Sequence, residues 1–396
     1  MSNSLVTIDM ITREALRIAH EKSQFISTVD RQYDSSFGNT GAKIGTALRV
    51  RKPNQYVRTT GSRVMDVQDQ DEASGTITVA TQDHVDMRFN SVELALSIDE
   101  ISKRYIEPAV TTLISGIESD FLAFATKKTW NVAGTAGTAI TDLAVPGAAR
   151  AKLNQGLAPK DGNRYVQMDS VTMAGMVNGL KGLFQDSTQI KEQYREGMIG
   201  RTGMADWYEN ERLWTLTNGS DVTTVTINDA AFVSGDNVVT IAGSSGHAVG
   251  QVVTFAGCYA VHPETKATFP HLQQFVIEAV SGNDVTISPT PVTSGAKQNV
   301  SAMPADGAAV VFQGVASTSY VQPLMYHKEA FQFVTADLPL MDDAAKCVRR
   351  VQDGLSLRVW QASDIRNDEL LMRIDILYGM AALRPEWACR LIGAAS

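Results

Sequence analysis

The chain has little cysteine, little charge and no long hydrophobic run, and each shortage excludes a class of protein. Three of its 396 residues are cysteine, and such a sparse, odd set argues against a disulfide framework and fits a reducing compartment. No apolar run approaches the ~18 residues of a membrane helix, and the first ten residues lack the basic start and apolar stretch of a secretion signal. With 44% hydrophobic and 20% charged residues, the composition is typical of a soluble globular protein.

The chain also lacks an excess of positive charge. Its 35 Lys and Arg residues are outnumbered by 43 Asp and Glu residues, for a formal net charge of −8. Proteins that depend on general contacts to nucleic-acid phosphates are usually basic. The charge therefore disfavours tight DNA or RNA binding, although an acidic protein can still lie near DNA.

No catalytic or metal-binding motif is present. The sequence contains no HExxH, no P-loop, no GxGxxG after a strand and no GxSxG. Ser244, Ser245 and His247 lie together in a Gly-rich stretch whose composition favours a turn. Cys258 with the histidines at 262 and 271 is too irregularly spaced for a structural zinc site. We therefore predict that the protein is not an enzyme and has no catalytic, cofactor-binding or metal residues and no cofactor.

Two segments have a helical pattern. Residues 7–20 carry apolar residues on one face, and Thr7 suits the start of the helix. Residues 97–130 form the longest pattern, with apolar residues every three or four positions and a capping box of Ser97 and Glu100. At 1.5 Å per residue this helix would be roughly 45–50 Å long, which indicates an elongated molecule.

Residues 46–90 are predicted to form a long β-hairpin, because apolar and polar residues alternate in both of its arms. A hairpin with so few apolar positions cannot fold alone, so we expect it to project and dock elsewhere. Its charges are sorted along the chain, and either a solvated loop or an intersubunit contact would explain them. The basic group is Arg49, Arg51, Lys52, Arg58 and Arg63, and the acidic group is Asp66, Asp69, Asp71 and Glu72.

The composition changes over residues 220–315. This stretch has only nine charged side chains and is rich in Val, Thr, Gly and Ser. Short β-type runs recur there between turn residues, which predicts a small all-β barrel or sandwich inserted into the surrounding α/β region.

The order of these elements resembles the major capsid protein of tailed bacteriophages, which has the HK97-like fold. Residues 255–280, 326–340 and 373–393 resemble segments of the coat proteins of short-tailed phages of the P22 type, which carry an insertion domain. The resemblance covers essentially the whole chain, and the order of elements carries it, because no single motif is diagnostic.

The resemblance implies an α+β, HK97-like capsid fold with an inserted all-β, barrel-like domain. It implies that the C-terminal strand completes the core, with Arg373, Asp375, Leu377 and Gly379 on or beside it and Pro385 and Glu386 starting the closing segment. The implied parts are an N-terminal arm (1–45), an E-loop hairpin (46–90), a P-domain with a spine helix (91–140), the first part of the A-domain (141–219), the inserted domain (220–315) and a segment that completes the A- and P-domains (316–396).

The function implied by the resemblance is mechanical. Copies of the chain would form the hexamers and pentamers of an icosahedral shell that encloses double-stranded DNA without sequence-specific binding. The implied partners are other copies of the chain, a scaffolding protein and a portal complex, with no membrane, and the implied location is the virion capsid after assembly in the host cytoplasm. Two alternatives remain open: an encapsulin-like compartment shell, and a hydrolase or sugar-binding protein with a β insertion.

Overall fold

The computed structural model describes residues 8–33, 47–61, 67, 74–90, 102–180, 201–220, 225–242, 246–341, 346–364, 366–367 and 369–395. The chain divides into two compact units, each built from separate stretches of sequence. The first unit consists of Met1–Val50, Ser74–Phe121 and Phe331–Ala381, and the second of Arg51–Ala73, Leu122–Ala330 and Ala382–Ser396.

The described helices are α1 (Ile8–Lys22), α2 (Phe25–Thr28), α3 (Glu107–Lys128), α4 (Ala144–Gln155) and α5 (Ser170–Leu180), with a π-helical turn at Ser102–Ile106 and 3-10 turns at Lys328–Ala330 and Pro385–Trp387. The strands are β1 (Asp30–Tyr33), β2 (Ala47–Arg51), β3 (Ser74–Thr78), β4 (Thr81–Asn90), β5 (Val132–Ala133), β6 (Arg164–Met168), β7 (Arg201–Thr202), β8 (Ala205–Glu209), β9 (Thr215–Thr217), β10 (Val225–Thr226), β11 (Val238–Thr240), β12 (Val252–Val261), β13 (Thr268–Ser281), β14 (Asp284–Ser288), β15 (Ala309–Phe312), β16 (Ser319–Val321), β17 (Leu324–His327), β18 (Phe331–Ala336), β19 (Lys346–Gln352), β20 (Leu355–Asp364), β21 (Glu369–Ala382) and β22 (Ala388–Leu391).

The long predicted helix is described from its π-helical turn onward, and residues 97–101 lie outside the described residues. Helix α3 then runs for 22 residues. Pro108 lies in its first turn, where the missing N–H has no intrahelical partner to lose, so this proline starts the helix rather than kinking it.

The first unit is organised around strand β21. Its six-stranded sheet has the order β1-β18-β21-β20-β19, and β4 also pairs with β21. Strand β21 pairs antiparallel with β4 from Glu369 to Tyr378 and with β20 from Glu369 to Asp375. Ile374, Ile376 and Tyr378 are almost completely buried. A strand with neighbours on both sides and a buried apolar face is part of the core, which explains why the chain is so apolar near its C-terminus.

An aromatic column joins the N-terminal helices to this sheet. The ring of Phe121 on α3 lies 4.8 Å from Phe25 and 5.6 Å from Phe333, centroid to centroid, and Phe333 lies 5.5 Å from Tyr378. Aromatic pairs at these separations contribute about 0.5–1.5 kcal/mol each beyond their burial. The column therefore fixes α3 against the sheet at Phe121.

The predicted hairpin is divided between two sheets. Strand β2 pairs with β3 in a two-stranded sheet, whereas β4 pairs with β21 over ten residues. The return arm is interrupted at Val79 and Ala80, which belong to no strand. Only its first five residues therefore face the outgoing arm, because the hydrogen-bonding edge of β21 takes the rest.

The second unit contains a sheet with the order β5-β22-β17-β6-β8-β7. Strand β22, from the end of the chain, lies inside this sheet, antiparallel to β17 and parallel to β5. The Pro385–Trp387 turn leads into β22, and the Trp387 indole Nε1–H donates a 2.8 Å hydrogen bond to the Gly156 carbonyl. The C-terminal segment thus supplies one strand to the main sheet of each unit.

Residues 225–312 form a separate six-stranded sheet in the second unit, with the order β10-β15-β12-β13-β14-β11. All of its strand pairs are antiparallel. It has its own buried cluster, which includes Phe255, Phe275, Ile277 and Phe312. A self-contained core is what an inserted domain requires, but that this segment folds by itself stays a prediction.

Candidate functional surfaces

The described residues that were considered for catalysis or metal binding include a buried thiol, a histidine bonded within a turn and a histidine stacked on a ring. No group of three or more His, Cys, Asp and Glu side chains that could hold a metal occurs among the described residues. Burial raises the pKa of the Cys258 thiol to about 12, and the Nδ1 atom of His262 accepts the N–H groups of Glu264 and Thr265, both at 3.2 Å, within a turn. His271 stacks on Phe269. Ser244 and Ser245 lie outside the described residues.

The charged hairpin residues are placed only in part. Arg49 and Arg51 belong to β2, Lys52 is half-buried and Arg58 is exposed. The remaining five candidates lie outside the described residues: Arg63, Asp66, Asp69, Asp71 and Glu72. The role of these sorted charges as an intersubunit contact therefore stays a prediction.

A buried ion pair lies in the sheet of the first unit. Arg358 on β20 contacts Asp375 on β21 twice, with Nε–Oδ1 at 3.0 Å and Nη2–Oδ2 at 2.5 Å. The two side chains are 4% and 0% exposed. Arg358 also donates to the Pro339 carbonyl at 2.6 Å, and Gln82 donates to Asp375 at 3.0 Å. The bidentate geometry and the extra donors compensate the cost of burying both charges.

Strand β21 also borders a groove on the surface of the first unit. A groove of about 390 Å³ is lined by β4, β20 and β21, with Trp360, Met87 and Met372 as its apolar part and Arg88 and Arg373 as its basic part. The exposed Arg88 forms an ion pair at 3.1 Å with the partly exposed Glu369. An apolar floor with charged edges is the usual composition of a protein contact surface.

The six-stranded sheet of residues 225–312 joins the rest of the second unit through a side-chain amide. Gln274 on β13 accepts the Val132 N–H at 2.9 Å and donates to the Val132 carbonyl at 3.1 Å. The amide thus pairs with both backbone groups of Val132, as a neighbouring strand would. Both backbone groups face Gln274, so its loss would leave them without these partners.

Two further polar contacts lie at this junction, where the six-stranded sheet of residues 225–312 meets the rest of the second unit. Lys128, at the end of α3, forms a 2.8 Å salt bridge with Glu278 on β13. Arg390 on β22 donates from Nη1 to the Gly250 carbonyl at 2.6 Å. Around them lies a buried apolar cluster of Val132, Val252, Val276, Tyr320 and Ile392.

Arg390 is an unusual junction residue because it is completely buried. Burial lowers the pKa of its guanidinium to about 9, and the nearby Cys389 only partly opposes this. Among the described residues, its Nε and Nη2 atoms have no hydrogen-bond partner. Gly250, which receives its Nη1 bond, has φ +91°, and a Cβ there would lie 2.6 Å from the Trp214 ring, so only glycine fits.

Sequence reasoning did not find these junction residues. The one local signal is that Gln273 and Gln274 interrupt an otherwise apolar run of β13 with two amides. Val132, the partner of Gln274, is 142 positions away along the chain. The contact depends on which surfaces meet, and no pattern inside either segment contains that information.

Comparisons with known proteins identify the family. The model of a family described as P22 coat protein, gene protein 5, matches residues 70–393. The chain belongs to this family. No described helix is long and apolar enough to cross a membrane, and a comparison with curated proteins finds no significant match.

Solved phage capsids resemble the chain in structure. A chain from Mycobacterium phage Che8 has a TM-score of 0.51 and 11% identity, and the match covers 93% of this chain and 90% of that one. The capsid of a native GTA particle has a TM-score of 0.44 and 10% identity, over 100% and 95% of the two chains. The I-domain of the CUS-3 coat protein is 29% identical, with a TM-score of 0.20, over 23% of this chain and 96% of that domain.

The family and the fold together define the class of protein. The chain is a phage major capsid protein that forms a shell, and it is a structural protein rather than an enzyme. The encapsulin-like and hydrolase alternatives are not favoured. The prediction of a capsid protein of the P22 type, made from the resemblance, is confirmed.

Proposed function

We propose that the chain assembles into the hexamers and pentamers of an icosahedral shell, with the parts of an HK97-like capsid protein. The observation that carries this proposal is the family match over residues 70–393. In this assignment α1 belongs to the N-terminal arm (1–45), β2 and β3 to the E-loop (46–90), and α3 is the spine helix of the P-domain (91–140). The sheet around β22 belongs to the A-domain, and the sheet of residues 225–312 is the inserted barrel-like domain (220–315).

The proposed contents and partners follow the same assignment. The shell encloses double-stranded DNA in the virion, and a net charge of −8 suits a wall that encloses DNA without gripping it. Assembly takes place in the host cytoplasm with a scaffolding protein, and a portal complex occupies one vertex.

Expression of the protein alone and together with its scaffolding protein tests the shell. Sedimentation and negative-stain electron microscopy should reveal closed particles, sheets or tubes, with closed particles enriched when scaffold is present. A protein that stays monomeric under every condition, scaffold included, would contradict the proposal. Particles containing cargo protein but never DNA in infected cells would overturn the DNA assignment alone.

The sorted hairpin charges are proposed as an intersubunit contact. Its basic members are Arg49, Arg51, Lys52, Arg58 and Arg63, and its acidic members are Asp66, Asp69, Asp71 and Glu72. Opposite charges on neighbouring copies would bias encounter and register, which is the main contribution of exposed charge at interfaces.

A further inference from the structure

A cavity of about 140 Å³ lies in the second unit beside the junction described above. It is bordered by helix α4, strand β13 and the Pro385–Trp387 turn. The polar side chains around it include Lys152, Gln155, His271 and Glu386. One buried water needs only ~10–15 Å³ of such space, so the cavity can hold several waters or one small ion.

Most of the amides around the cavity are already occupied. Gln274 bonds both backbone groups of Val132, and Asn299 accepts the Val292 N–H at 2.7 Å while donating to the Thr290 carbonyl at 2.8 Å. Asn131 donates to the Ala388 carbonyl at 3.1 Å. The remaining side-chain donors include the Gln155 amide, the Lys152 ammonium and the His271 ring, and neither Lys152 nor His271 makes an ion pair within the described part of the chain.

The charge around Lys152 is not compensated. Burial lowers the pKa of Lys152, and the only group that acts against this is Cys389. Burial raises the pKa of the Cys389 thiol to about 12, so this thiol is neutral and supplies no countercharge at pH 7. Burial and the neighbouring Lys152 both lower the pKa of His271. At pH 7 the cavity is therefore bordered by the Lys152 ammonium and by a neutral His271 ring that can still donate one N–H.

The carboxyl group at the cavity, that of Glu386, has other cationic neighbours. Burial raises the pKa of Glu386, and the groups that act against this are its own backbone N–H, Lys52 and Arg384. Lys52 and Arg384 thus favour the charged form of Glu386, and an added anion could neutralise Lys152.

We propose that this cavity binds a small free oxyanion, of the size and charge of phosphate or sulfate, between Lys152 and His271. Lys152 lies on α4, and His271 lies on β13 of the six-stranded sheet. An anion that accepts hydrogen bonds from both side chains would tie the sheet of residues 225–312 to helix α4. Binding would therefore stabilise the junction as well as fill the cavity.

Binding should strengthen as the pH falls. A histidine with a lowered pKa is neutral at pH 7 and gains its charge only in mild acid, and a carboxyl with a raised pKa loses its charge at a higher pH than usual. Both changes make the cavity more positive. Lys152, Lys52, Arg384 and the neutral Cys389 thiol complete the groups around it.

Isothermal titration of the unassembled full-length subunit with sodium sulfate tests the proposal, because sulfate does not titrate between pH 5.5 and 8. Sodium chloride at equal ionic strength serves as the blank. We expect saturable binding of one sulfate, about tenfold weaker in Lys152→Met because one charge-assisted hydrogen bond is lost. Lys152→Arg should retain binding, and Lys160→Met, which removes an exposed lysine elsewhere in the unit, should leave it unchanged.

His271→Gln provides a second variant. It should bind sulfate with a smaller pH dependence than the unaltered protein, because only Glu386 then still titrates beside the cavity, whereas the unaltered protein should bind several-fold more tightly at pH 5.5 than at pH 8. Circular dichroism without anion establishes that each variant is folded. Inorganic phosphate should compete with sulfate, and a dinucleotide should not, which separates a free anion from a nucleic-acid phosphate.

Three results would overturn the proposal. The first is non-saturable heat that matches chloride. The second is equal sulfate affinity in Lys152→Met and the unaltered protein. The third is competition by the dinucleotide as strong as by phosphate. None of them bears on particle formation, so shell assembly can succeed whether or not the cavity binds an anion.

Discussion

Polar side chains at buried or half-buried positions join neighbouring strands and sheets in this chain. The Arg358–Asp375 pair lies within the sheet of the first unit, and Gln274 joins two sheets of the second. Each satisfies groups that burial would otherwise penalise. Removing one partner should therefore cost more than removing an exposed charge of the same type.

Asp375→Asn should destabilise the unassembled subunit by about 3–5 kcal/mol, because it leaves the buried Arg358 without its countercharge. The double variant Arg358→Met with Asp375→Leu should be less destabilised than Asp375→Asn, since it removes both charges. Urea denaturation of the three proteins measures the difference. Glu369→Gln is the control. Glu369 lies on β21, as Asp375 does, and the change breaks its partly exposed pair with Arg88 on β4, so it should cost no more than about 1 kcal/mol.

Gln274→Ala should lower the free energy of unfolding by about 1–3 kcal/mol, because the N–H and carbonyl of Val132 both lose a partner. Gln274→Glu should not rescue it, since a carboxylate can accept from the N–H but cannot donate to the carbonyl. Thermal unfolding of the subunit gives the measurement, with Gln273→Ala as the neighbouring control. An equal decrease in the free energy of unfolding for Gln274→Ala and Gln273→Ala would show that the pairing with Val132 does not stabilise the subunit.

Strand β21 is constrained by close neighbours along its length. It pairs with β4 along ten residues, and beyond this ladder Gly379 passes close to another backbone. A Cβ on Gly379 would lie 2.4 Å from the Thr78 carbonyl oxygen, which is too close for any real contact. The strand therefore needs glycine at this position for space.

Gly379→Ala should destabilise the subunit by about 1–3 kcal/mol, because backbone must move to admit the methyl group. Gly116→Ala is the matched control. Gly116 lies within α3, with no atom within 4 Å of a built Cβ, so the same change there should stabilise by about 0.5–1 kcal/mol. Chemical denaturation of both variants should give shifts of opposite sign, and a stabilised Gly379→Ala would contradict the close approach.

The whole molecule is built from interleaved stretches of chain. Each compact unit draws on residues from the N-terminal, middle and C-terminal parts of the sequence. The C-terminal segment contributes β21 to one sheet and β22 to another. Truncation before β21 would therefore remove strands from both main sheets, which suits a subunit that must not unravel within a shell.

The fragment of residues 220–315 should fold alone. The apolar cluster of its sheet is formed by its own residues, so excision leaves this core complete. We expect a soluble, β-rich fragment with a cooperative thermal transition by circular dichroism. A disordered fragment would mean that the junction contacts of Gln274 and Arg390 are needed for folding, or that the boundaries are wrong.

Reversing Asp66, Asp69, Asp71 and Glu72 to Lys should leave the melting temperature of the unassembled subunit nearly unchanged. A single exposed pair contributes only ~0–1 kcal/mol, but a shell repeats each contact many times, so particle yield should fall. The loss should be largest at low salt, where screening is weakest. Sedimentation across a salt series measures yield.

The compensating variant is the control for this charge reversal. It adds Glu in place of Arg49, Arg51, Arg58 and Arg63 to the reversed acidic group, and it should recover part of the yield. Normal yield from the acidic reversal alone at every salt concentration would make the hairpin charges an ordinary solvated surface.

The sequence by itself determined the local elements and the class of protein. Helical periodicity marked most of α1 and all of α3, because the side-chain repeat of a helix is fixed by its own backbone. Low charge and repeated short β-type runs indicated strands over 220–315. The order of elements, through its family resemblance, was enough to predict a capsid protein.

Only the tertiary structure decided which strands pair and where the junction contacts lie. The alternation in residues 74–90 predicted strands, but not that β3 would pair with β2 while β4 pairs with β21. Likewise nothing near Gln274 specified Val132 as its partner. The physical reason is that every strand edge presents the same N–H and C=O groups, so partner choice depends on the packing of side chains that are distant in sequence.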